Sequence, residues 1–367
     1  MCKSFGSKVA LATTVALFAV LACTTTASAD NGTAVTVMTQ NLYFGADLSP
    51  VIAAPTPTAF FLAVAGAYNQ GVASDWNGRA MQWAKEIAAA KPDLVGLQEA
   101  VQWRTQSPSD FSPIPDATTV AADFVNLLVG DLAALGIPYT VAAADTGYDV
   151  EGPGLFPFGF MDVRLTQHDV ILARQESRLK FANRQSGQYA ARITIPTAVG
   201  PIPLPWAWTS IDATVGDHVF RFATTHLDSN SGAAQLAQAQ EFLAGPGATS
   251  LPLVWAGDFN SDADATSITG NPPDTATYQN IVAAGLSDAW AVANPGDPGY
   301  TCCESATLNN ALPTLSERID HVLTRGPWQV TNVTVVGATA ADKTAVTNLW
   351  PSDHAGVVAK LNLQGQS

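Results

Sequence analysis

The chain has 367 residues, of which 47% are hydrophobic and 13% are charged. This composition supports a large buried core and excludes an intrinsically disordered chain, which needs low hydrophobicity and many charges. The formal net charge is −14, from 17 lysines and arginines against 31 aspartates and glutamates. That balance argues against a strongly basic nucleic-acid-binding surface, although a local basic patch or a metal could still recruit phosphate.

The first 29 residues have the pattern of an export signal. Lys3 and Lys8 precede an apolar run over residues 9–22, and Ala27-Ser28-Ala29 forms an A-x-A cleavage site. We therefore expect a secretory signal peptide over residues 1–29 and a secreted domain over residues 30–367. Loss of the two lysines would take the net charge from −14 to −16.

An alternative export signal ends at Cys23. Val20-Leu21-Ala22-Cys23 resembles a bacterial lipoprotein signal, which would anchor the protein to lipid at Cys23. Cleavage after residue 29 would instead leave Cys302 and Cys303, either as a vicinal disulfide or as two reduced thiols. Neither form implies a redox function.

Hydrophobic patterning and turn residues predict both strands and helices along the chain. In chain order these are strand 35–40, helix 79–90, strand 94–99, helix 117–135, strands 170–173, 189–195, 211–215 and 219–225, helix 235–243, and strands 253–256 and 319–324. Hairpins mixed with β-α-β units predict mixed sheets with helices outside.

Residues suited to metals or phosphate end several of the predicted apolar strands. Because loops at strand ends often carry functional residues, we expect these polar residues to form one oxygen-rich, histidine-assisted site. Such donors favour Mg²⁺, with Mn²⁺ or Ca²⁺ as alternatives, over zinc. The elements are Thr39-Gln40-Asn41-Leu42, Leu97-Gln98-Glu99, Thr224-Thr225-His226-Leu227, Gly257-Asp258-Phe259-Asn260, Arg318-Ile319-Asp320-His321 and Ser352-Asp353-His354.

These elements, in this order, resemble the endonuclease/exonuclease/phosphatase superfamily. It contains pancreatic-type deoxyribonucleases, apurinic endonucleases, inositol polyphosphate 5-phosphatases and bacterial sphingomyelinases. The resemblance spans residues 35–361. It implies an α+β fold, a four-layer α/β/β/α sandwich of two mixed β-sheets flanked by helices, as in deoxyribonuclease I.

The resemblance also implies a metal site. Glu99 matches the family's principal metal-ligating glutamate, and Asn41 matches the asparagine beside it. Asp353 would be a further carboxylate at the metal site.

The same resemblance implies five catalytic residues. Asp258 would orient the attacking water, and Asn260 would hold the phosphate. Asp320 would pair with His354, which would contact the phosphate and stabilise its developing charge. His226 matches the histidine that protonates the leaving oxygen in the deoxyribonuclease and sphingomyelinase branches.

Several other polar residues lie near these elements but match less cleanly. Solvent-facing polarity is the default interpretation of Asp47, Arg164, His168 and Asp169. We expect His321 to face away from the site, because neighbouring residues of a strand point to opposite faces. Asp288 is interpreted as a carboxylate at a turn or strand edge.

These residues favour a secreted, Mg²⁺-dependent phosphoester hydrolase acting on a phosphodiester. The alternatives are an extracellular deoxyribonuclease-like endonuclease, a non-catalytic binding member of the same fold, and a calcium-binding or adhesive surface protein. The intact catalytic set argues against the second, and the scarcity of Asp-rich loops argues against the third.

Two aromatic segments rich in Pro and Gly, residues 152–160 and 200–208, bear on the substrate. If exposed, Phe158, Trp206 and their neighbours would contact a membrane surface transiently; the alternative is packing over the sheets. Together with the negative charge, these segments place a phospholipid such as sphingomyelin, or a small phosphodiester, ahead of nucleic acid as the substrate.

Overall fold

The computed structural model of the protein describes residues 33–264 and 276–364. The expected export signal and Cys23 lie outside these residues. No helix in the described ranges is both long and apolar enough to span a bilayer.

Strands dominate the described ranges. The strands are β1 (Ala34–Asn41), β2 (Leu94–Gln98), β3 (Gln102–Gln106), β4 (Thr119–Asp123), β5 (Tyr139–Phe156), β6 (Gly159–Arg174), β7 (Lys180–Gln188), β8 (Ile193–Thr197), β9 (Gly200–Leu204), β10 (Ala207–Val215), β11 (His218–His226), β12 (Leu253–Asp258), β13 (Ser287–Asp288), β14 (Asp320–Arg325), β15 (Trp328–Val336) and β16 (Gly356–Leu363). The α-helices are α1 (Ser49–Ile52), α2 (Pro57–Ala73), α3 (Trp76–Ala90), α4 (Phe124–Ala134), α5 (Gly232–Ala244), α6 (Thr277–Ala283) and α7 (Ala289–Ala293).

The strands form two large mixed sheets and one separate hairpin. The first, eight-stranded sheet has the order β15-β16-β1-β2-β6-β3-β4, with β5 also paired to β6. The second has six strands in the order β13-β14-β12-β11-β10-β7, and β8 pairs with β9 alone. The β1–β2 and β11–β12 pairs are parallel, and the other strand pairs are antiparallel.

The inner faces of the two sheets meet in one buried apolar cluster. Val37 and Leu94 of the first sheet share it with Phe222 and Val254 of the second. The sheets approach most closely at Gly96, where an added Cβ would lie 2.5 Å from the Thr224 hydroxyl. Alternating side chains of each strand therefore leave the opposite faces for helices.

Helices cover both outer faces. Val95 and Leu97 belong to a buried cluster with Trp83 of α3 and Phe124 of α4. On the second sheet, Trp255 stacks on Phe242 of α5 with ring centroids 3.8 Å apart. The predicted four-layer sandwich is confirmed.

The helix predicted over residues 117–135 is wrong in its first third. Thr119–Asp123 is strand β4, which pairs with β3. The helix begins only at Phe124, because the Asp123 carboxylate caps it by accepting a hydrogen bond from the Asn126 N–H at 3.0 Å.

The strand predicted over residues 189–195 is also wrong in its first half. The backbone N–H groups of Ala190 and Ala191 donate to the Glu241 carboxylate at 2.8 and 2.7 Å. A side chain of α5 thus replaces the sheet partner, and β8 begins at Ile193.

The two aromatic segments lie within strands and their turns. Residues 152–160 form the tip of the β5–β6 hairpin, where Phe158 is 69% exposed and Phe156 is buried. In the second segment Trp206 is only 3% exposed. Phe158 is therefore exposed, as contact with a membrane would require, whereas Trp206 packs inside the protein.

Candidate active site

The sheet topology gathers the predicted residues at one edge of the sandwich. The parallel strands β1 and β2 end together, with Asn41 opposite Gln98. The parallel strands β11 and β12 also end together, with His226 opposite Asp258. Asp320 begins β14 and lies opposite Asp258 across the antiparallel ladder. Strand register alone thus brings residues far apart in the chain to one place.

Asn41 connects two of the carboxylates. Its Nδ2 donates to Glu99 Oε1 at 3.1 Å and to Asp258 Oδ2 at 3.0 Å. Its Oδ1 accepts the Tyr43 N–H at 2.8 Å, and the Phe44 N–H donates to Glu99 Oε2 at 2.9 Å. In this arrangement Asn41 holds both acids in place, and its role as a metal ligand stays a prediction.

A tight turn after β12 fixes Asn260 next to Asp258. The Asn260 N–H donates to Asp258 Oδ1 at 2.8 Å, and its Nδ2 donates to the Leu227 carbonyl at 2.9 Å. Asn260 and Glu99 both have positive φ, 47° and 52°. Left-handed backbone at non-glycine residues is concentrated at functional sites, because the surrounding structure must hold it.

His354 lies among three carboxylates. Its Nδ1 is 2.8 Å from Asp320 Oδ2, the pairing that the resemblance implied. Its Nε2 is 3.9 Å from both Asp258 Oδ2 and Asp353 Oδ1. Burial alone would lower the pKa of His354, but Asp320 and Asp258 outweigh it and raise the pKa well above the usual value. The ring is therefore a cation at neutral pH.

His226 differs from His354 in charge. Its Nε2 is 3.4 Å from Asp258 Oδ2, and its ring centroid is 4.3 Å from that of Trp206. Burial lowers the pKa of His226 to about 4, which the nearby Asp258 only partly offsets. The ring is neutral at pH 7.

The carboxylates of the site resist ionisation. Burial, with the Asp353 charge next, raises the pKa of Glu99 to about 8. Burial also raises the pKa of Asp320 to about 6 in spite of His354, and raises that of Asp353. Like charges buried together favour protonation unless a cation neutralises them.

The donor set fits a hard divalent cation. Asp258, Asp320 and His354 each have one polar atom within 4.8 Å of the others', and with His354 cationic the two carboxylates are the members of this group that can bind a metal. Asp320 Oδ1 and Asp353 Oδ1 are buried without a hydrogen-bond partner among the described residues. Carboxylate oxygens of this kind are the ligands that Mg²⁺, Mn²⁺ and Ca²⁺ prefer.

Arg79, to which the sequence pattern gave no site role, supports this edge from behind. The side chain is fully buried, and its guanidinium donates to the Tyr43 and Pro351 carbonyls, each at 2.7 Å. It thereby joins the loop after β1 to the segment leading to His354. Its position four residues before Trp83 on the buried face of α3 is the signal that could have identified it.

The vicinal cysteines lie beside His354. Cys302 and Cys303 are joined by a disulfide, the first of the two expected alternatives. Cys302 also forms an isolated antiparallel bridge with His354.

The site opens into a cleft of about 380 Å³. Glu99, His226, Asp258, Asp353 and His354 all line it, and most of its remaining lining is apolar or aromatic. Within the described ranges, no lysine or arginine lines this cleft. Its size lies within the range of small-molecule sites.

The residues that matched less cleanly mostly lie elsewhere. Asp47 lines the cleft. Arg164 pairs with Asp149, and His168 contacts a backbone carbonyl of the same hairpin at 3.0 Å. Asp169 is buried, and burial raises its pKa well above the usual value.

His321 and Asp288 form a separate cluster. His321 Nε2 is 3.1 Å from the Ser261 carbonyl, and Asp288 pairs with Arg318. Arg318 therefore pairs with Asp288. The cluster fits the prediction that His321 faces away from the site and the prediction that Asp288 is a carboxylate at a turn or strand edge.

Comparisons with known proteins agree with this geometry. Residues 38–354 match the model of the Endonuclease/Exonuclease/phosphatase family. No curated protein matches the sequence.

Solved structures share the fold at low sequence identity. A family protein from Bacteroides thetaiotaomicron superposes with a TM-score of 0.55 and 19% identity, covering 91% of this chain and 99% of that one. One from Bacteroides vulgatus gives 0.53 and 17%, covering 90% and 100%. The mannosyl-6-phosphatase Bt3783 of Bacteroides thetaiotaomicron VPI-5482 gives 0.51 and 18%, covering 89% and 99%.

The pKa values of the two histidines should be shifted in opposite directions from the usual value of 6.5. In NMR spectra of the metal-free protein, we expect His354 to titrate above 6.5 and His226 near 4. Asp320→Asn should lower the pKa of His354, because it removes the carboxylate that stabilises the imidazolium. Asp217→Asn, at an exposed turn, is the matched control and should change neither value. A His354 that titrates below 6.5 in the unaltered protein would contradict this account.

Proposed function

The chain belongs to the Endonuclease/Exonuclease/phosphatase family, and from this premise we propose that it is a secreted phosphodiesterase that depends on a divalent metal. Members of the family are phosphoesterases and nucleases. The observation that carries the proposal is the convergence of Glu99, Asp258 and His354 at the polar end of one cleft, with Asp320 hydrogen-bonded to His354. Mg²⁺ is the proposed ion, with Mn²⁺ and Ca²⁺ as alternatives.

Glu99 and Asp353 are the residues proposed to hold the metal, with Asn41 beside them. A divalent cation bound there would neutralise these carboxylates and the charge of the phosphate. The fit rests on the raised pKa values and on the unpartnered oxygens of the cluster.

The residues around the proposed metal site have different roles in hydrolysis. A water oxygen bonds to phosphorus, the P–O bond to the leaving group breaks, and the leaving oxygen takes its proton from solvent water. Asp258 Oδ2, close to both histidines, is placed to orient the water and accept its proton. The cationic His354, held by Asp320, stabilises charge that develops on the phosphate oxygens.

We assign His226 a hydrogen bond to the leaving oxygen. Its lowered pKa makes it a poor reservoir of a proton at pH 7, so its neutral N–H acts as a donor. This refines the role of full proton donor that the resemblance implied. Asn260, whose side chain Leu227 fixes, stays the proposed phosphate contact.

We favour a phospholipid such as sphingomyelin, or a small phosphodiester, over nucleic acid as the substrate. A nucleic acid strand brings phosphates on both sides of the scissile bond, and each needs a cationic partner. Within the described residues the cleft lining offers no lysine or arginine for them. An extracellular deoxyribonuclease-like endonuclease remains the second candidate.

Transient contact with a membrane surface is a further part of the proposal. Phe158 is 69% exposed at the β5–β6 tip, and Phe111, which is 53% exposed, packs on Phe160 with ring centroids 5.0 Å apart. Exposed aromatic groups of this kind mark contacts with ligands, partners or membranes.

Hydrolysis should require a divalent cation and the residues named above. With bis(p-nitrophenyl) phosphate as the substrate, Asp258→Asn and His354→Ala should each lower kcat about 100-fold or more, because each removes transition-state stabilisation. Glu99→Gln should raise the Mg²⁺ concentration needed. The matched controls are Asp217→Asn and His218→Ala in the β10–β11 turn. Undiminished turnover in excess chelator would refute the metal requirement, and no turnover with any divalent cation would favour the non-catalytic alternative.

The substrate class should separate in direct competition at physiological salt. We expect hydrolysis of sphingomyelin in phosphatidylcholine vesicles to exceed cleavage of plasmid DNA, because no lysine or arginine among the described residues lines the cleft. Asp258→Asn serves as the control for contaminating activity in both assays. Efficient DNA cleavage that leaves the vesicles intact would establish the nuclease alternative instead.

A further inference from the structure

The cleft continues beyond the catalytic residues into a region lined by apolar side chains. Three elements that supply none of the proposed catalytic residues form it: α2, the β5–β6 hairpin and the β8–β9 hairpin. We call this region the apolar chamber and define it by Phe60, Val64, Val163, Leu165, Ile202 and Leu204.

A chain of aromatic rings lines the cleft beside the catalytic residues. Trp206 lies 4.3 Å from His226 and 5.9 Å from Tyr148, measured between ring centroids. Tyr148 in turn lies 6.1 Å from Phe44, whose N–H holds Glu99. A molecule with its phosphate at Asp258 therefore meets an apolar wall on leaving the site.

The chamber has little to offer a polar occupant. Away from the catalytic cluster, the charged lining residues are Asp47 and Glu151, both acidic. Asp47 accepts the Ser49 N–H at 2.8 Å, and Glu151 accepts the Asp116 and Ala117 N–H groups at 2.8 and 2.9 Å. Against the six apolar side chains that define the chamber, a sugar or nucleobase would lose its water without gaining hydrogen-bond partners, which is costly.

We propose that the apolar chamber binds a hydrocarbon arm of the substrate, so that the enzyme selects phosphodiesters esterified to an aliphatic chain. This inference rests on the proposed phosphodiesterase function and adds where the chain of the substrate lies. The hydrocarbon chain of the substrate would lie inside the protein, whereas contact through Phe158 would involve only the outer surface.

The length of the alkyl arm of the substrate should therefore control kcat/KM. In a series of p-nitrophenyl alkyl phosphates with methyl, butyl and octyl arms, kcat/KM should rise about fourfold for each methylene that enters the chamber. We expect at least a tenfold advantage of the octyl over the methyl ester, assayed below the aggregation concentration of the octyl ester. The p-nitrophenyl ester of thymidine 5′-phosphate, with a polar arm, should be slower than the octyl ester.

Two residues of one hairpin provide a matched pair of variants. Ile202 lines the chamber, whereas Val199, at the turn of the same hairpin, is 47% exposed and does not line it. Ile202→Ser should reduce the octyl-to-methyl ratio several-fold, and Val199→Ser should leave it unchanged. Val64→Phe, which fills the chamber from α2, tests the same point should Ile202→Ser fold poorly.

The outcomes separate this inference from the proposed function. Hydrolysis of the methyl ester with no gain for octyl, or a faster thymidine ester, overturns the chamber assignment alone. Failure to hydrolyse any ester with any divalent cation overturns both.

The source of the chain is tested with sphingomyelin in phosphatidylcholine vesicles. A lower vesicle rate in Ile202→Ser supports a membrane lipid as the source. An octyl preference that Ile202→Ser reduces, without vesicle hydrolysis, supports a soluble amphiphile.

Discussion

The repulsion between buried carboxylates at one edge of the sandwich governs the site. Glu99, Asp320 and Asp353 lie in a region where burial opposes their ionisation, and Asp258 is buried beside them. The cationic ring of His354 partly neutralises the negative charge of these carboxylates. The Asn41 amide donates hydrogen bonds to two of them, Glu99 and Asp258. A site built in this way is stable with protons or with a divalent cation, and the second state is the one suited to phosphate chemistry.

The same constraint explains why the cleft has two different ends. Acidic groups that await a cation would be neutralised if lysines or arginines lined the cleft beside them. Within the described residues no lysine or arginine lines the cleft, and the buried Arg79 lies behind the site. The front of the cleft is left to aromatic and aliphatic side chains, so its recognition of substrate depends on apolar surface.

The family resemblance predicted the sandwich, and local patterns in the sequence predicted mixed sheets with helices outside and the polar residues at the strand ends. Apolar strands ending in Asn41 or Asp258 are visible without any knowledge of pairing. Contacts between distant segments were not predictable: Glu241 replaces a strand partner near residue 190, and α2, which walls the chamber, lacks a distinct polar face. Trp206, for which the sequence left exposure and packing over the sheets both open, is buried next to His226.

The central claim is that the buried carboxylates take a divalent cation in exchange for protons. Titration calorimetry with Mg²⁺ at pH 7, repeated in buffers of different ionisation enthalpy, measures that exchange directly. Because the pKa of Glu99 is raised to about 8, the group carries a proton at pH 7, and binding should release about one proton per ion. The release should diminish at pH 9, where Glu99 is already ionised. Absence of Mg²⁺ binding, or binding with no proton release at pH 7, would contradict the account.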